Sequence, residues 1–206
     1  MNSLAWSKPG AQPMTAAPQL RFDPVSIVLH WATVLLLVAM FASIWGRSLV
    51  GESTPAGAGL LTIHRSAGAT LWLVAVCRLG WRLTFALRPA LPATLSPLQV
   101  RAAALTEGGL YVLLLVQPFS GLMQSLARGR PFQLFMFEAP QVMSRNRGLG
   151  MLFHQLHQLA AWLLLSLIAL HVGAALLHGL VLKDGVLQTM LPRRGGKGAA
   201  RRRAAP

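Results

Sequence analysis

The feature that most constrains this fold is a stretch of apolar sequence, from Pro24 to Gly46, that contains no charged residue. A helix of about 20 apolar residues crosses the hydrocarbon core of a bilayer, so this stretch is long enough to span a membrane. Gly108–Ala127 and Leu152–Leu182 are likewise free of Asp, Glu, Lys and Arg. Three such stretches in a short chain favour the bilayer, rather than water, as the solvent of the fold.

A fourth stretch, at about residues 61–85, is less apolar because it carries one histidine and three arginines: His64, Arg65, Arg78 and Arg82. These side chains lie near its two ends, where arginine can extend to the membrane surface. We therefore predict an all-α fold, an integral membrane four-helix bundle. Its spans are expected at about residues 24–47, 61–84, 105–127 and 152–182.

Composition agrees with a membrane protein, since 54% of the residues are hydrophobic and 12% are charged, about half the charged fraction of an average soluble domain. The net charge of +14 does not indicate nucleic acid as a partner, because the basic residues form no amphipathic or aromatic-interleaved surface. They lie between and beyond the apolar stretches, where they flank membrane spans and meet lipid.

Four spans place both chain termini on one side of the membrane. Most of the 19 Lys and Arg residues fall on that side, so the positive-inside rule predicts that both termini are cytoplasmic. Residues 21–192 are expected to form one domain, between a disordered cytoplasmic leader (1–20) and a basic cytoplasmic tail (193–206). The outer side still carries six arginines: Arg47, Arg65, Arg128, Arg130, Arg145 and Arg147.

All six histidines lie in or at the ends of the predicted spans, where a titratable group is costly and indicates function. His157 and His171 are separated by about 21 Å along one helix and by about 40° around it. By depth, His30 pairs with His171 near the cytoplasmic face, and His64 pairs with His157 near the outer face. Two bis-histidine pairs at these depths predict two haems that carry electrons, because two axial histidines leave no open position.

Other interpretations of the histidines fit less well. His154 is rotated well away from His171, so it ranks below His157. A metal-ion transporter would be expected to place Asp or Glu within a span, and a zinc site needs its four ligands close together. Cys77 is the one cysteine, so any haem is held noncovalently, without a C-x-x-C-H motif. A membrane protein without redox chemistry, in which the histidines are structural, remains an alternative.

Three arginines are candidates to bind the anionic propionates of a haem. Arg65 follows His64 directly and would serve the outer haem. Arg78 and Arg82 lie at the cytoplasmic end of the second span and would serve the inner haem. Anchoring of these side chains at the membrane surface explains them equally well.

Seven segments resemble the bacterial cytochrome b561 family, the four-helix di-haem proteins of the inner membrane. They cover about Arg21 to Pro192 and are specific as a set, although each alone is weak. The segments are RFDPVSIVLHW at 21–31, IHRSAG at 63–68, CRLGWR at 77–82, PFSG at 118–121, HQLHQ at 154–158, LHVGAALLH at 170–178 and KDGVLQTMLP at 183–192.

The resemblance implies two haem b groups held by the same four histidines, His30 and His171 for the inner haem and His64 and His157 for the outer. It also implies a quinone site beside the inner haem. There the family histidine corresponds to His178, and Lys183 is a second candidate hydrogen-bond donor to the quinone.

One branch of the family oxidises superoxide on the periplasmic side and reduces ubiquinone. The basic outer side would attract such an anion, although lipid phosphates or propionates are equally suitable partners for these arginines. We therefore expect a superoxide:quinone oxidoreductase. The alternative is an electron-carrier subunit that links the quinone pool to a periplasmic redox protein, as the small cytochrome b subunits of hydrogenases do.

Overall fold

The computed structural model describes residues 21–86, 89 and 95–191. Arg88, the predicted leader (1–20) and the predicted basic tail (193–206) lie outside the described residues. The described chain forms α1 (Pro24–Val50), α2 (Pro55–Thr84), α3 (Pro97–Ala127), β1 (Phe132–Leu134), β2 (Phe137–Ala139) and α4 (Arg147–Leu176), then a π-helical turn (Leu177–Leu182) and a 3-10 turn (Leu187–Thr189).

Each long helix begins at a residue whose side chain accepts a hydrogen bond from the first-turn backbone. These N-caps are Asp23, Thr54, Ser96 and Asn146, and the first three are each followed by proline. An N-cap of this kind stabilises a helix by about 1 kcal/mol. Proline fits the first position because its missing N–H would have no partner there.

α1, α2 and α3 are longer than the apolar stretches that predict the spans, whereas α4 begins earlier than its stretch and gives way to the π-helical turn at Leu177. α2 begins at Pro55 and α3 at Pro97, several residues before the apolar sequence starts. The caps determine where a helix begins, whereas hydropathy marks only the part inside the hydrocarbon. All four helices are long and apolar enough to cross a membrane.

Packing joins α1 to α2 and α3 to α4 as two helical hairpins, and α2 against α3 holds the hairpins together. The buried core takes one large apolar residue from each helix: Met40, Leu71, Leu114 and Leu164. Many other large apolar side chains are exposed, including Leu35, Val38 and Trp162. Such a surface suits a protein surrounded by lipid.

We call the two ends of the bundle the terminal end and the hairpin end. The terminal end holds the start of α1 and residues 183–191, and the hairpin end holds the β1–β2 hairpin. This hairpin lies between the spans expected at about residues 105–127 and 152–182, where no secondary structure was predicted. Its strands pair with Phe132 opposite Ala139, and the Phe135 N–H donates to Ser66 Oγ of α2 at 2.6 Å.

At the terminal end, the last described residues fold back onto the start of α1. The Phe22 N–H donates to the Thr189 carbonyl at 3.2 Å, and Trp31 Nε1 donates to the Met190 carbonyl at 2.9 Å. Trp81 Nε1 donates to Asp23 Oδ1 at 3.0 Å, which ties the end of α2 to the start of α1. Partial burial alone would raise the pKa of the Asp23 carboxyl, but hydrogen bonds from Ser26 and Trp81 lower it.

Candidate functional site

The structure brings the four central histidines together as two facing pairs. The ring centroids of His30 and His171 are 6.3 Å apart, and those of His64 and His157 are 6.2 Å apart. Imidazole nitrogen binds a transition metal at about 2 Å, so two rings on opposite sides of one metal ion have centroids about 6 Å apart. Each pair therefore has the spacing of a bis-histidine metal site.

An apolar layer separates the two pairs. His157 and His171 both belong to α4, and Leu164 lies midway between them in the chain. Leu164 is only 1% exposed and packs with Met40, Leu71 and Leu114. The two pairs therefore lie at different depths, about 21 Å apart along α4.

Backbone carbonyls orient the histidines at the hairpin end. Nδ1 of His64 lies 3.0 Å from the Met40 carbonyl oxygen, and Nδ1 of His157 lies 3.0 Å from the Gln117 carbonyl oxygen. Because a carbonyl only accepts, each Nδ1 carries the proton and each Nε2 keeps its lone pair. This is how metal-binding histidines are usually held.

Gln117 is buried beside the same pair and was not among the predicted site residues. Its Nε2 lies 3.2 Å from His157 Nε2, and its Oε1 is buried without a hydrogen-bond partner. A metal at His157 Nε2 would displace this amide. Ser120 Oγ, 3.1 Å from His157 Nδ1, is a further polar neighbour.

At the terminal end, His30 and His171 face each other across a gap between helices. In the described part of the chain, the backbones of α1 and α4 do not pack closely against each other. A side chain added at Gly173 would meet nothing within 4 Å. Nδ1 of His30 is buried without a partner among the described residues, which is costly unless a ligand or water completes the site. The gap and this unpaired nitrogen fit a large flat group with a central metal.

Arg78 and Arg82 lie beside the pair at the terminal end. Both guanidinium groups stack on the Tyr111 ring, at 5.4 Å and 5.7 Å from its centroid. Arg82 also forms an ion pair of 2.6 Å with Glu107. Within the described residues Arg78 has no acidic partner, so its charge is available to an anionic group.

His178 and Lys183, the two candidate donors to a quinone, have different surroundings. His178 Nδ1 contacts Asp184 Oδ2 at 2.5 Å. Lys183 has an exposed side chain and a left-handed backbone with φ 50°. Asp184 is thus the partner of His178. No role for Asp184 was predicted from the sequence.

The hairpin end concentrates positive charge. Arg65 stacks on Phe132 at 5.1 Å, and Arg47 pairs with Glu52 at 3.0 Å. Burial and the nearby charges of Arg130 and Arg47 lower the pKa of Arg128, which still keeps its charge at neutral pH.

A cleft of about 400 Å³ opens at this end between α3 and α4. Gln124 Nε2 lies 2.9 Å from His154 Nδ1 within it, so His154 bonds to Gln124 and not to a second histidine. Three arginines also line the cleft: Arg128, Arg145 and Arg147.

Comparison with known proteins identifies the kind of protein that carries two such pairs. The family model described as prokaryotic cytochrome b561 matches residues 21–193. The chain belongs to this family. Its members are haem b-binding membrane proteins that transfer electrons.

Three curated relatives match nearly the whole described domain. "Cytochrome b561 homolog 1" of Escherichia coli is 28% identical, over 84% of this chain and 98% of the relative. "Probable superoxide oxidase CybB" of Yersinia pestis is 28% identical, over 85% and 98%. "Cytochrome b561 homolog 2" of Escherichia coli is 30% identical, over 83% and 91%.

Other metal chemistry has little support in the described residues. They contain no group of three or more His, Cys, Asp or Glu side chains placed to hold a metal ion. Each candidate site has two protein ligands, which suits a metal whose remaining ligands come from a macrocycle.

Gly121 provides a test of the pair at the hairpin end. An added Cβ would lie 2.9 Å from His157 Cε1, so Gly121→Ala is expected to push the ring out of position, at a cost of about 1–3 kcal/mol for overpacking. We expect a lower haem-to-protein ratio and a lower melting temperature. Gly108→Ala is the control, because a Cβ there meets nothing within 4 Å. Equal haem content in the two variants would contradict a requirement for close approach at Gly121.

Proposed function

We propose that this cytochrome b561 binds two haem b groups and carries electrons across the inner membrane from superoxide to ubiquinone. The observation that carries the proposal is the spacing of the two histidine pairs, 6.3 Å and 6.2 Å between centroids. His30 and His171 hold one haem, and His64 and His157 hold the other. Arg65 serves the propionates of the second haem, and Arg78 and Arg82 serve those of the first.

The terminal end faces the cytoplasm in this proposal, and the hairpin end faces the periplasm. The distribution of Lys and Arg supports the orientation, because most of them lie in the segments that join or flank the helices at the terminal end. The pair formed by His30 and His171 is then the inner one.

The outer arginines support superoxide as the electron donor. Arg128, Arg145 and Arg147 line a cleft at the hairpin end and, within the described chain, form no ion pair with a carboxylate. A cleft lined by positive charge raises the association rate of a small anion. A relative bearing the name of a probable superoxide oxidase agrees with this choice.

The reaction balances with two superoxide ions for each quinone. Each superoxide loses one electron and becomes dioxygen. The quinone gains both electrons and two protons and becomes the quinol. Haem supplies the one-electron redox chemistry when it is bound, and two histidine ligands per iron leave no open position for oxygen. The chain's residues hold the ligands, attract the anion and exchange protons at the quinone, where His178 and Lys183 are the candidates.

The test uses purified protein with a counted haem content. Superoxide added without oxygen or quinone should reduce both haems rapidly, and added ubiquinone should then reoxidise them. Rapid reduction that depends on superoxide and is abolished by superoxide dismutase supports the proposal. Haems that do not respond to superoxide would contradict it, and a protein without haem would contradict every redox function.

One observation favours the alternative function of an electron carrier with a periplasmic redox protein as partner. The tip of the β1–β2 hairpin exposes three large apolar residues, Phe135, Met136 and Phe137. Exposed apolar residues at the tip of a hairpin suit protein docking as well as lipid contact. If superoxide fails as donor while quinol reduces the haems, this second function gains support.

A further inference from the structure

The contact between His178 and Asp184 is the most specific polar arrangement outside the two histidine pairs. The Asp184 carboxylate holds Nδ1 of His178 with one oxygen, at 2.5 Å. Its other oxygen accepts the Val186 backbone N–H at 3.1 Å. The side chains of His178 and Asp184 are only 14% and 13% exposed. Both carboxylate oxygens are therefore engaged, and the histidine ring is fixed.

This contact depends on a break in the helix. In a regular α-helix, residues six apart point in directions about 240° apart and do not meet. Here α4 ends in the π-helical turn Leu177–Leu182, a form that is common at functional sites. Lys183 then takes a left-handed conformation, with φ 50°, and turns the chain back.

Gly179 lets the returning chain pack closely on the π-helical turn. A Cβ at Gly179 would collide with Leu187 of the 3-10 turn. The 3-10 turn leads into Met190, whose carbonyl accepts the hydrogen bond from Trp31, next to His30. The segment that supplies Asp184 is thus attached to the helix that carries the inner histidine.

The carboxylate determines which nitrogen of His178 exchanges protons. The hydrogen bond from His178 lowers the pKa of Asp184, so the carboxyl stays ionised at neutral pH. An ionised carboxylate can only accept, so Nδ1 keeps its proton whether the ring is neutral or charged. Nε2 is then the atom that gains and loses a proton.

We propose that Asp184 is a positioning residue for quinone reduction, which holds His178 so that Nε2 delivers a proton to a quinone oxygen. The inference rests on the proposed function. The quinone receives two electrons from two superoxide ions. One carbonyl oxygen takes its proton from Nε2 of His178, which takes a replacement from cytoplasmic water. The other oxygen takes its proton from water directly.

Within the described residues, few titratable groups belong to the elements that pack against the π-helical turn. α4 contributes His171, about 10 Å away along the helix, and the chain after the turn contributes Lys183 and Asp184. The 3-10 turn, Leu187–Thr189, carries no titratable side chain. Within the described residues, His178 is therefore the group whose titration a change at Asp184 is expected to alter.

The kinetic test compares wild type with Asp184→Asn and Asp184→Glu in protein of equal haem content. Asparagine fills the same space, but its amide can donate to Nδ1 and favour the other tautomer. In a Ser-His-Asp triad this change costs about 10⁴-fold in kcat. Because His178 supplies one of two protons here, we expect a fall of about 10-fold in kcat for quinone reduction. KM should stay nearly unchanged, the pH profile should change, and glutamate should restore part of the rate.

A second measurement works without turnover. In ¹⁵N-histidine-labelled protein, with His178→Gln used to assign the signal, neutral His178 should carry its proton on Nδ1 in wild type and lose that preference in Asp184→Asn. A proton on Nε2 in wild type would overturn the inference, as would an Asp184→Asn variant with wild-type kcat and pH profile. Haems in wild type that quinone cannot reoxidise would contradict the proposed function, while the tautomer would still show whether Asp184 fixes the His178 ring.

Discussion

Replacement of His157 by alanine is expected to remove one of two haems, whereas replacement of His154 should leave both. The two residues lie one helical turn apart on α4, so they share the same helix and the same depth range. His157 faces His64 at 6.2 Å between ring centroids, but His154 is exposed and bonds to Gln124. Because each haem has two protein ligands in the proposed arrangement, loss of one ligand should release that haem.

The haem-to-protein ratio, measured after extraction, should fall from about two to about one in His157→Ala and in His64→Ala. The remaining haem, at His30 and His171, should keep its own spectrum and potential. Retention of two haems in either variant would contradict the pairing. Loss of a haem in His154→Ala would show that the ligand on α4 had been assigned one turn out of place.

The histidine pairs could be predicted from sequence because the distances along a helix are fixed. A rise of about 1.5 Å per residue is enough to place His157 and His171 at different depths in the membrane. His30 and His64 then each match one depth. The helix starts were not predicted, because hydropathy does not mark the N-caps Asp23, Thr54 and Ser96, each of which stands before a proline.

Residues that act through their backbone could not be predicted in this way. The carbonyls of Met40 and Gln117 orient His64 and His157, and every residue has a carbonyl. The buried Gln117 side chain left a signal, since a glutamine and Ser120 interrupt an apolar span around Pro118. Their role depends on the rotation of α3 against α4, which the sequence does not specify.

Local departures from regular structure explain the other differences. The six-residue separation of His178 and Asp184 argues against a contact in a regular helix, and the π-helical turn brings them together. The β1–β2 hairpin has three-residue strands, which are too short to show an alternating pattern. Phe135 takes a left-handed conformation, with φ 54°, at a position where glycine or asparagine would have signalled a turn.

Reversal of charge in the cleft between α3 and α4 is expected to slow the reaction with superoxide. Arg145 and Arg147 line the cleft, and their side chains form no ion pair within the described residues. The double substitution Arg145→Glu/Arg147→Glu changes the local charge by four units without changing a histidine. Steering by a one-sign field can raise association rates by about 10- to 1000-fold, so we expect the second-order rate constant to fall at least 10-fold at low ionic strength.

The control is Arg101→Glu, an exposed arginine near the start of α3 at the terminal end. Reversal there should leave the reaction with superoxide unchanged, because Arg101 lies about 40 Å from the cleft along α3, beyond the Debye length of about 30 Å at 0.01 M salt. Stopped-flow rates measured over a range of salt concentration distinguish a loss of electrostatic attraction from a structural defect caused by the substitutions. Added salt should slow wild type and bring it close to the double variant, since screening removes the attraction. A rate constant that is the same in both proteins at every salt concentration would mean that these arginines serve lipid phosphates, and that superoxide reaches the outer haem by another route.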